Sequence, residues 1–283
     1  MKPYEDAIHS LTVLRSNRIR EALLPYYDLD GEYGKCEEFK LFRDGMPSEF
    51  EIESRTAHVI STHLGITHPH IVQAICDSYH NYGYHCIVHA VSMAIIVQRL
   101  GEIYLPDHPA LVKIAVLGAL LHDSYHTHGA LPDTDNVERA KRFTTNLISM
   151  YGAEAGYRPA TEHLICTAIN TTLFMCGTFP NPCPEVVLPP ETIGQRHAIV
   201  VALIAEADLM MSATPYWPSL ASVLAHDFSR HGNDDYLEVD RFCATQCTFI
   251  THSTMDRLQL KETRAAMSRV RDIHSSVVGK LRA

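Results

Sequence analysis

From about residue 70 to its end, this chain reads as one helix-length segment after another, with no convincing apolar–polar alternation of period two. Helical spacing of apolar residues covers 70–79, 84–104, 109–123, 135–150, 160–174, 194–213, 218–229 and 236–251, and a charged amphipathic stretch closes the chain at 256–281. Residues 4–24 open it in the same way, with Ala7, Ile8, Leu11 and Leu14 on one side and Arg15, Arg18 and Arg20 on the other. Two stretches do not fit. Residues 26–50 are aromatic, charged and turn-rich (Asp30-Gly31, Asp44-Gly45-Met46-Pro47), which predicts an irregular connector. Residues 177–192 carry Pro180, Pro182, Pro184, Pro189 and Pro190, which forbid regular structure. The pattern predicts an all-α, multi-helix bundle without internal repeats. Residues 1–51 form an N-terminal helix and connector of unassigned role, and 52–283 a single larger domain.

Within these oily segments sit side chains that do not belong in oil. Tyr84-His85-Cys86-Ile87-Val88-His89-Ala90 is one such place, and Leu120-Leu121-His122-Asp123-Ser124-Tyr125-His126, at the end of the apolar run 114–121, is another. Asp208 interrupts a third apolar segment, Val200-Val201-Ala202-Leu203-Ile204-Ala205-Glu206-Ala207-Asp208. A buried carboxylate needs a partner, and a metal ion is the partner that also suits imidazole. His85 and His89 are four apart, so a helix through both would aim them from one face. His122 and Asp123 adjoin at a predicted helix end, and polar ligands projecting inward from several helices are a known way to build a metal site in a bundle. Each fragment alone has a plainer reading: a solvated helix end, or a buried hydrogen-bonded carboxylate. Their joint occurrence favours metal.

The bulk numbers bound the rest. A formal charge of −9 argues against a nucleic-acid surface, so no nucleic-acid partner is expected. An anionic small substrate would need a local positive site, which bound cations provide. The eight cysteines are scattered, without a Cys-x-x-Cys pair. The start, Met1-Lys2-Pro3-Tyr4-Glu5-Asp6, has no apolar run behind it, and no apolar run approaches the roughly 20 residues that span a bilayer. No membrane association is expected, and the expected location is cytoplasmic, with free thiols.

His122-Asp123, with a preceding histidine and a distant aspartate, resembles the HD superfamily of metal-dependent phosphohydrolases. The segment ending Tyr84-His85-Cys86-Ile87-Val88-His89-Ala90 is similar to the Tyr-His-Asn-x-x-His-Ala signature of class I 3′,5′-cyclic nucleotide phosphodiesterases, with Cys86 in the asparagine's place. His122-Asp123-Ser124-Tyr125-His126 matches that family's His-Asp-x-x-His, and Ala207-Asp208-Leu209 its Ala-Asp-Leu. Gln246-Cys247-Thr248-Phe249-Ile250 resembles its Gln-x-x-Phe-Ile element. The resemblance covers residues 70–252. Thr127-His128-Gly129 shifts by one the glycine that follows His-Asp-x-x-His, and the segment from Gly129 to Glu138 is shorter than the family's.

The resemblance implies a phosphodiesterase-type helical fold around a central metal site, with two divalent ions as cofactors. His89, His122, Asp123 and Asp208 would hold the first, Zn²⁺. Asp123 would bridge to a second, Mg²⁺ or Mn²⁺. A hydroxide shared by the ions would attack the cyclic phosphorus of cAMP or cGMP and yield the 5′-monophosphate. His85 would hand a proton to the leaving O3′, Gln246 would pair with the edge of the base, and Phe249 would stack on it. His126 would support the second ion's water shell, with plain surface exposure an equal reading, and His128 reads as a surface residue. One alternative is another HD phosphohydrolase acting on a different nucleotide, which would not need His85, Gln246 and Phe249. Another is a metal-bound sensor without catalysis. The charged last helix could pair two copies of the chain as a homodimer, although a solvated face accounts for it as well.

Overall fold

A computed structural model describes residues 2–28, 30–80, 83–128, 131–175, 193–230, 232–251, 255 and 258–283. Its regular elements are all helical, and no strand occurs among the described residues. The missing period-two pattern is therefore matched by an all-α fold. The proline-rich stretch 177–192 lies outside the described residues. The chain divides into two compact units, Met1–Asp44 with Ser212–Ala283, and Gly45–Met211.

In the terminal unit α1 spans Lys2–Tyr27 and is followed by α2 (Glu32–Lys35), a 3₁₀ turn at Glu37–Phe39, and α3 (Lys40–Arg43). The irregular connector expected over 26–50 is thus corrected: it is a chain of very short helices. A four-residue helix is too brief to show a periodicity, and tertiary anchors hold it instead. Those anchors are the aromatic residues. The Tyr33 ring stacks at 5.3 Å on Tyr27 and at 4.5 Å on Phe39. The Tyr27 hydroxyl donates to the Ser212 carbonyl (2.6 Å) and that of Tyr33 to Ala213 (3.0 Å).

The second unit holds α4 (Glu49–Ser54), α5 (Thr56–Thr62), α6 (Pro69–Asp77), α7 (Ile87–Tyr104), α8 (Pro109–Leu121), α9 (Asp133–Ala155), α10 (Pro159–Met175) and α11 (Ile193–Leu209). Local chemistry sets several ends. Ser48 Oγ accepts from the Glu51 N–H to cap α4, and prolines open α6 and α8 at their first turns. Gly156, at φ 80°, closes α9 in the left-handed conformation. The expectation that no apolar run is long enough to span a bilayer is corrected by α7, whose 18 residues are long and apolar enough to cross a membrane; every residue from Ile87 to Val97 is buried within the protein. It packs on α8 and α11.

Gly118 lets α8 and α11 approach: a Cβ there would stand 2.6 Å from Ile204 Cδ1. An added methyl meets only the flexible end of Ile204, so Gly118→Ala is expected to be mild. Gly118→Leu is expected to cost about 1–3 kcal/mol by overpacking, read as a lowered urea midpoint. A midpoint unchanged from wild type would show that these helices are not in close contact.

Returning to the terminal unit, α12 spans Trp217–Arg230, α13 Val239–Phe249 and α14 Lys261–Arg282. Helix α1 packs on α12, and α13 on α14. The charged last helix has an inward face of Ala266, Met267, Val270, Ile273, His274 and Val277, all buried inside its own unit.

Candidate metal centre

Sequence reading placed residues 84–104 in one helix, with His85 and His89 on its common face. The structure corrects this. Gly83 has φ 82°, Cys86 is extended, and α7 starts only at Ile87. His85 therefore lies in the bend before the helix, yet its ring still meets that of His89 edge-on at 5.8 Å. His89 sits in the first turn of α7 and is fully buried. His122 caps the end of α8, Asp123 follows in the turn, and Asp208 occupies the last turn of α11.

These three helix termini bring four donors together. His89 Nε2 lies 3.2 Å from His122 Nε2, 3.4 Å from Asp123 Oδ2 and 3.3 Å from Asp208 Oδ1. His122 Nε2 lies 2.9 Å from Asp123 Oδ2 and 3.7 Å from Asp208 Oδ1. A tetrahedral ion with bonds of about 2.0–2.1 Å has donor–donor edges of about 3.3 Å, and these distances bracket that value. His89, His122 and Asp123 form a cluster that could hold an ion, and Asp208 Oδ1 lies nearest its His89 corner. The tautomer also suits. His122 Nδ1–H donates to the Ala119 carbonyl (2.8 Å), which leaves the Nε2 lone pair for the centre.

Electrostatics follow from two buried imidazoles and two largely buried carboxylates sharing one space. Burial pushes the Asp123 carboxyl up, but the His122 and His85 rings outweigh it and hold it well below the usual carboxylate range. Burial acts on Asp208 in the same way, and contacts with His122 and His89 bring it far down. Burial lowers His122, yet Asp123 and Asp208 raise it well above its ordinary value, and His89 is raised by the same balance. Two anions and two imidazoles packed this closely are a site built for positive charge. His85 is different: burial, offset only in part by Asp123, lowers it to about 3, so this ring is neutral at pH 7.

Around the four donors the turn after α8 is tied down. The Tyr79 hydroxyl donates to the Leu120 carbonyl (2.9 Å), and the Tyr125 N–H donates to the Ser78 carbonyl (2.9 Å). His126 is buried rather than exposed, and its ring stacks on His85 at 3.7 Å. His128, read from sequence as a surface residue, is half-buried, with its ring 6.2 Å from that of His85. His85, His126 and His128 make a second cluster of possible ligands. Sequence reasoning also missed Tyr84, whose ring lies 4.8 Å from that of His89, and Asn136, whose amide meets His126. Only Gly83 gave a signal, as a helix breaker. Gln246 and Phe249 belong to the terminal unit, half-buried near the end of α13 and three residues apart.

No family model matches the chain, and no curated protein matches it by sequence. Among solved structures it is similar to LmjPDEB1, a Leishmania class I cyclic nucleotide phosphodiesterase solved in complex with IBMX. The match has a TM-score of 0.58 over 94% of this chain and 96% of that one, at 13% sequence identity. At that identity the likeness is one of fold.

Proposed function

We propose that this protein hydrolyses a 3′,5′-cyclic nucleotide, cAMP or cGMP, to the 5′-monophosphate in a metal-dependent reaction. The observation that carries this is the cluster of His89, His122 and Asp123, with Asp208 Oδ1 3.3 Å from His89 Nε2, in a phosphodiesterase-like fold. His89, His122, Asp123 and Asp208 would hold Zn²⁺, and Asp123 would reach a second ion, Mg²⁺ or Mn²⁺. Bound there, the ions would supply an activated water and neutralise the phosphate oxygens.

The protein's own groups would do the rest. The fixed Nδ1–H of His122 aims its Nε2 at the centre. His85, held neutral by burial, would take up a proton when an anionic phosphate seats beside it and release that proton to the departing O3′. His126, stacked on His85, would hold that ring in place. Gln246 would pair with the edge of the base and Phe249 would stack on its face.

Purified protein with Zn²⁺ and Mg²⁺ or Mn²⁺ is expected to convert cAMP or cGMP to the 5′-monophosphate. Gln246→Ala is expected to raise KM about tenfold, the loss of a hydrogen bond at a buried base edge, with kcat little changed. Turnover of another phosphorylated nucleotide but of neither cyclic nucleotide, indifferent to Gln246→Ala, would favour a different phosphohydrolase on the same metal centre.

A further inference from the structure

The cluster beside the first centre has chemistry of its own. His85, His126 and His128 each offer one ring nitrogen, and these lie within 4.8 Å of one another. All three donors are imidazoles, a set that suits Zn²⁺, Cu²⁺ or Ni²⁺ and not Mg²⁺ or Ca²⁺. We propose that His85, His126 and His128 form a further metal site, selective for a transition ion and separate from the centre of His89, His122, Asp123 and Asp208.

The position is built, not incidental. His128 has φ 50° and Tyr125 φ 60°, so two residues without glycine's freedom take the left-handed conformation on either side of His126. The Tyr125 N–H bond to Ser78 and the Arg139 Nε–H bond to the Tyr125 carbonyl (3.0 Å) hold this turn. The His128 ring occupies space that Gly83 leaves open: a Cβ on Gly83 would stand 2.3 Å from His128 Nδ1. The opposite wall is His85, whose Nδ1 is buried with no hydrogen-bond partner among the described residues. His126 meets the His128 N–H at Nδ1 (3.0 Å) and the Asn136 amide at Nε2 (3.2 Å). Asn136 Oδ1 is already taken by the Thr127 N–H (3.1 Å) and hydroxyl (2.8 Å), which points the amide nitrogen at His126.

The metal site stands on these residues alone. Its consequence rests on the phosphodiesterase reading above. An ion on His85 removes the lone pair that would carry the proton for O3′, so occupancy switches the reaction off and excess Zn²⁺ inhibits.

Zn²⁺ alone, titrated into the full chain against a chromogenic chelator, tests the site. Asn tolerates the left-handed conformation that His128 adopts, so His128→Asn removes a ligand without adding backbone strain. His128→Asn is expected to bind one equivalent less than wild type, and His85→Asn to lose the same equivalent. Asp208→Ala should keep it. Cu²⁺ bound there should show hyperfine coupling to three nitrogens, reduced in His128→Asn. Equal Zn²⁺ stoichiometry and affinity in wild type and both asparagine variants, with matching melting curves, would overturn the site. The binding result does not depend on turnover, so failure to hydrolyse any cyclic nucleotide would remove the phosphodiesterase reading alone. With turnover present, excess Zn²⁺ should inhibit wild type and spare His128→Asn. Equal inhibition of both would overturn the switch.

Discussion

Asp208→Ala is expected to lower turnover by more than about a thousandfold and to strip the protein of its tight ion on dialysis. Losing an outer partner that merely orients a ligand typically costs roughly 10–100-fold, and removing a donor should exceed that. On the proposed reading Asp208 is a donor: Oδ1 lies 3.3 Å from His89 Nε2 and 3.7 Å from His122 Nε2, beside the cluster formed by α7 and the end of α8. Truncation also removes one of two anions beside two buried imidazoles, so the remaining groups attract a cation less strongly. Asp208→Asn keeps the shape and loses the charge, and should fall between. A second readout avoids catalysis altogether. An ion present at a thousand times its dissociation constant stabilises the folded wild type by about 4 kcal/mol. Chelation should therefore lower the melting temperature of wild type and leave Asp208→Ala unmoved. Metal content and a rate within tenfold of wild type would remove Asp208 from the centre.

The parts of this centre that could be read from sequence are those set by burial. His122-Asp123 after the apolar run of α8, and Asp208 in α11, stand out because a charge among Leu, Ala and Ile has few reasons to exist. The helices that carry them were legible for the same reason, since α7, α8 and α11 are apolar nearly all round. What was not legible depends on backbone torsions and on distant pairs. The start of α7 moved from Tyr84 to Ile87 because Gly83 turns left-handed and Cys86 is extended, which spacing cannot show. His128 read as exposed because nothing in Thr127-His128-Gly129 announces φ 50°, or that its ring packs against Gly83, 45 residues earlier. The short helices α2 and α3 escaped because stacked aromatics, not periodicity, hold them.

The largest effect expected away from the centre is an acid-dependent loss of stability traced to His274. This residue of α14 is fully buried, and its hydrogen bonds fix a neutral tautomer. Nδ1–H donates to the Val270 carbonyl one turn back (2.9 Å), and Nε2 accepts from the indole N–H of Trp217 (3.2 Å). A proton on Nε2 would face that indole N–H in a fully buried place. Burial accordingly lowers the His274 pKa to about 4, with the Val270 carbonyl offsetting only part of the shift. The unfolded chain, with an ordinary value near 6.5, therefore takes up its proton first as the pH falls. The stability His274 contributes is complete above pH 6.5 and is lost between pH 6.5 and 4, amounting to about 3 kcal/mol. Against a total stability of about 5–15 kcal/mol that is a large share. His85 and His126 are also lowered and act in the same window, whereas His89 and His122 are raised and act above it. The measurement is therefore a difference. Trp217 is the chain's one tryptophan and touches the histidine in question, so its fluorescence follows urea unfolding from pH 7.5 to 4.5. In His274→Gln the amide oxygen can accept the same indole N–H without titrating. Wild type should lose roughly 2–3 kcal/mol more than this variant across the window, whereas parallel curves would mean that His274 protonates in the folded protein as readily as in the unfolded chain.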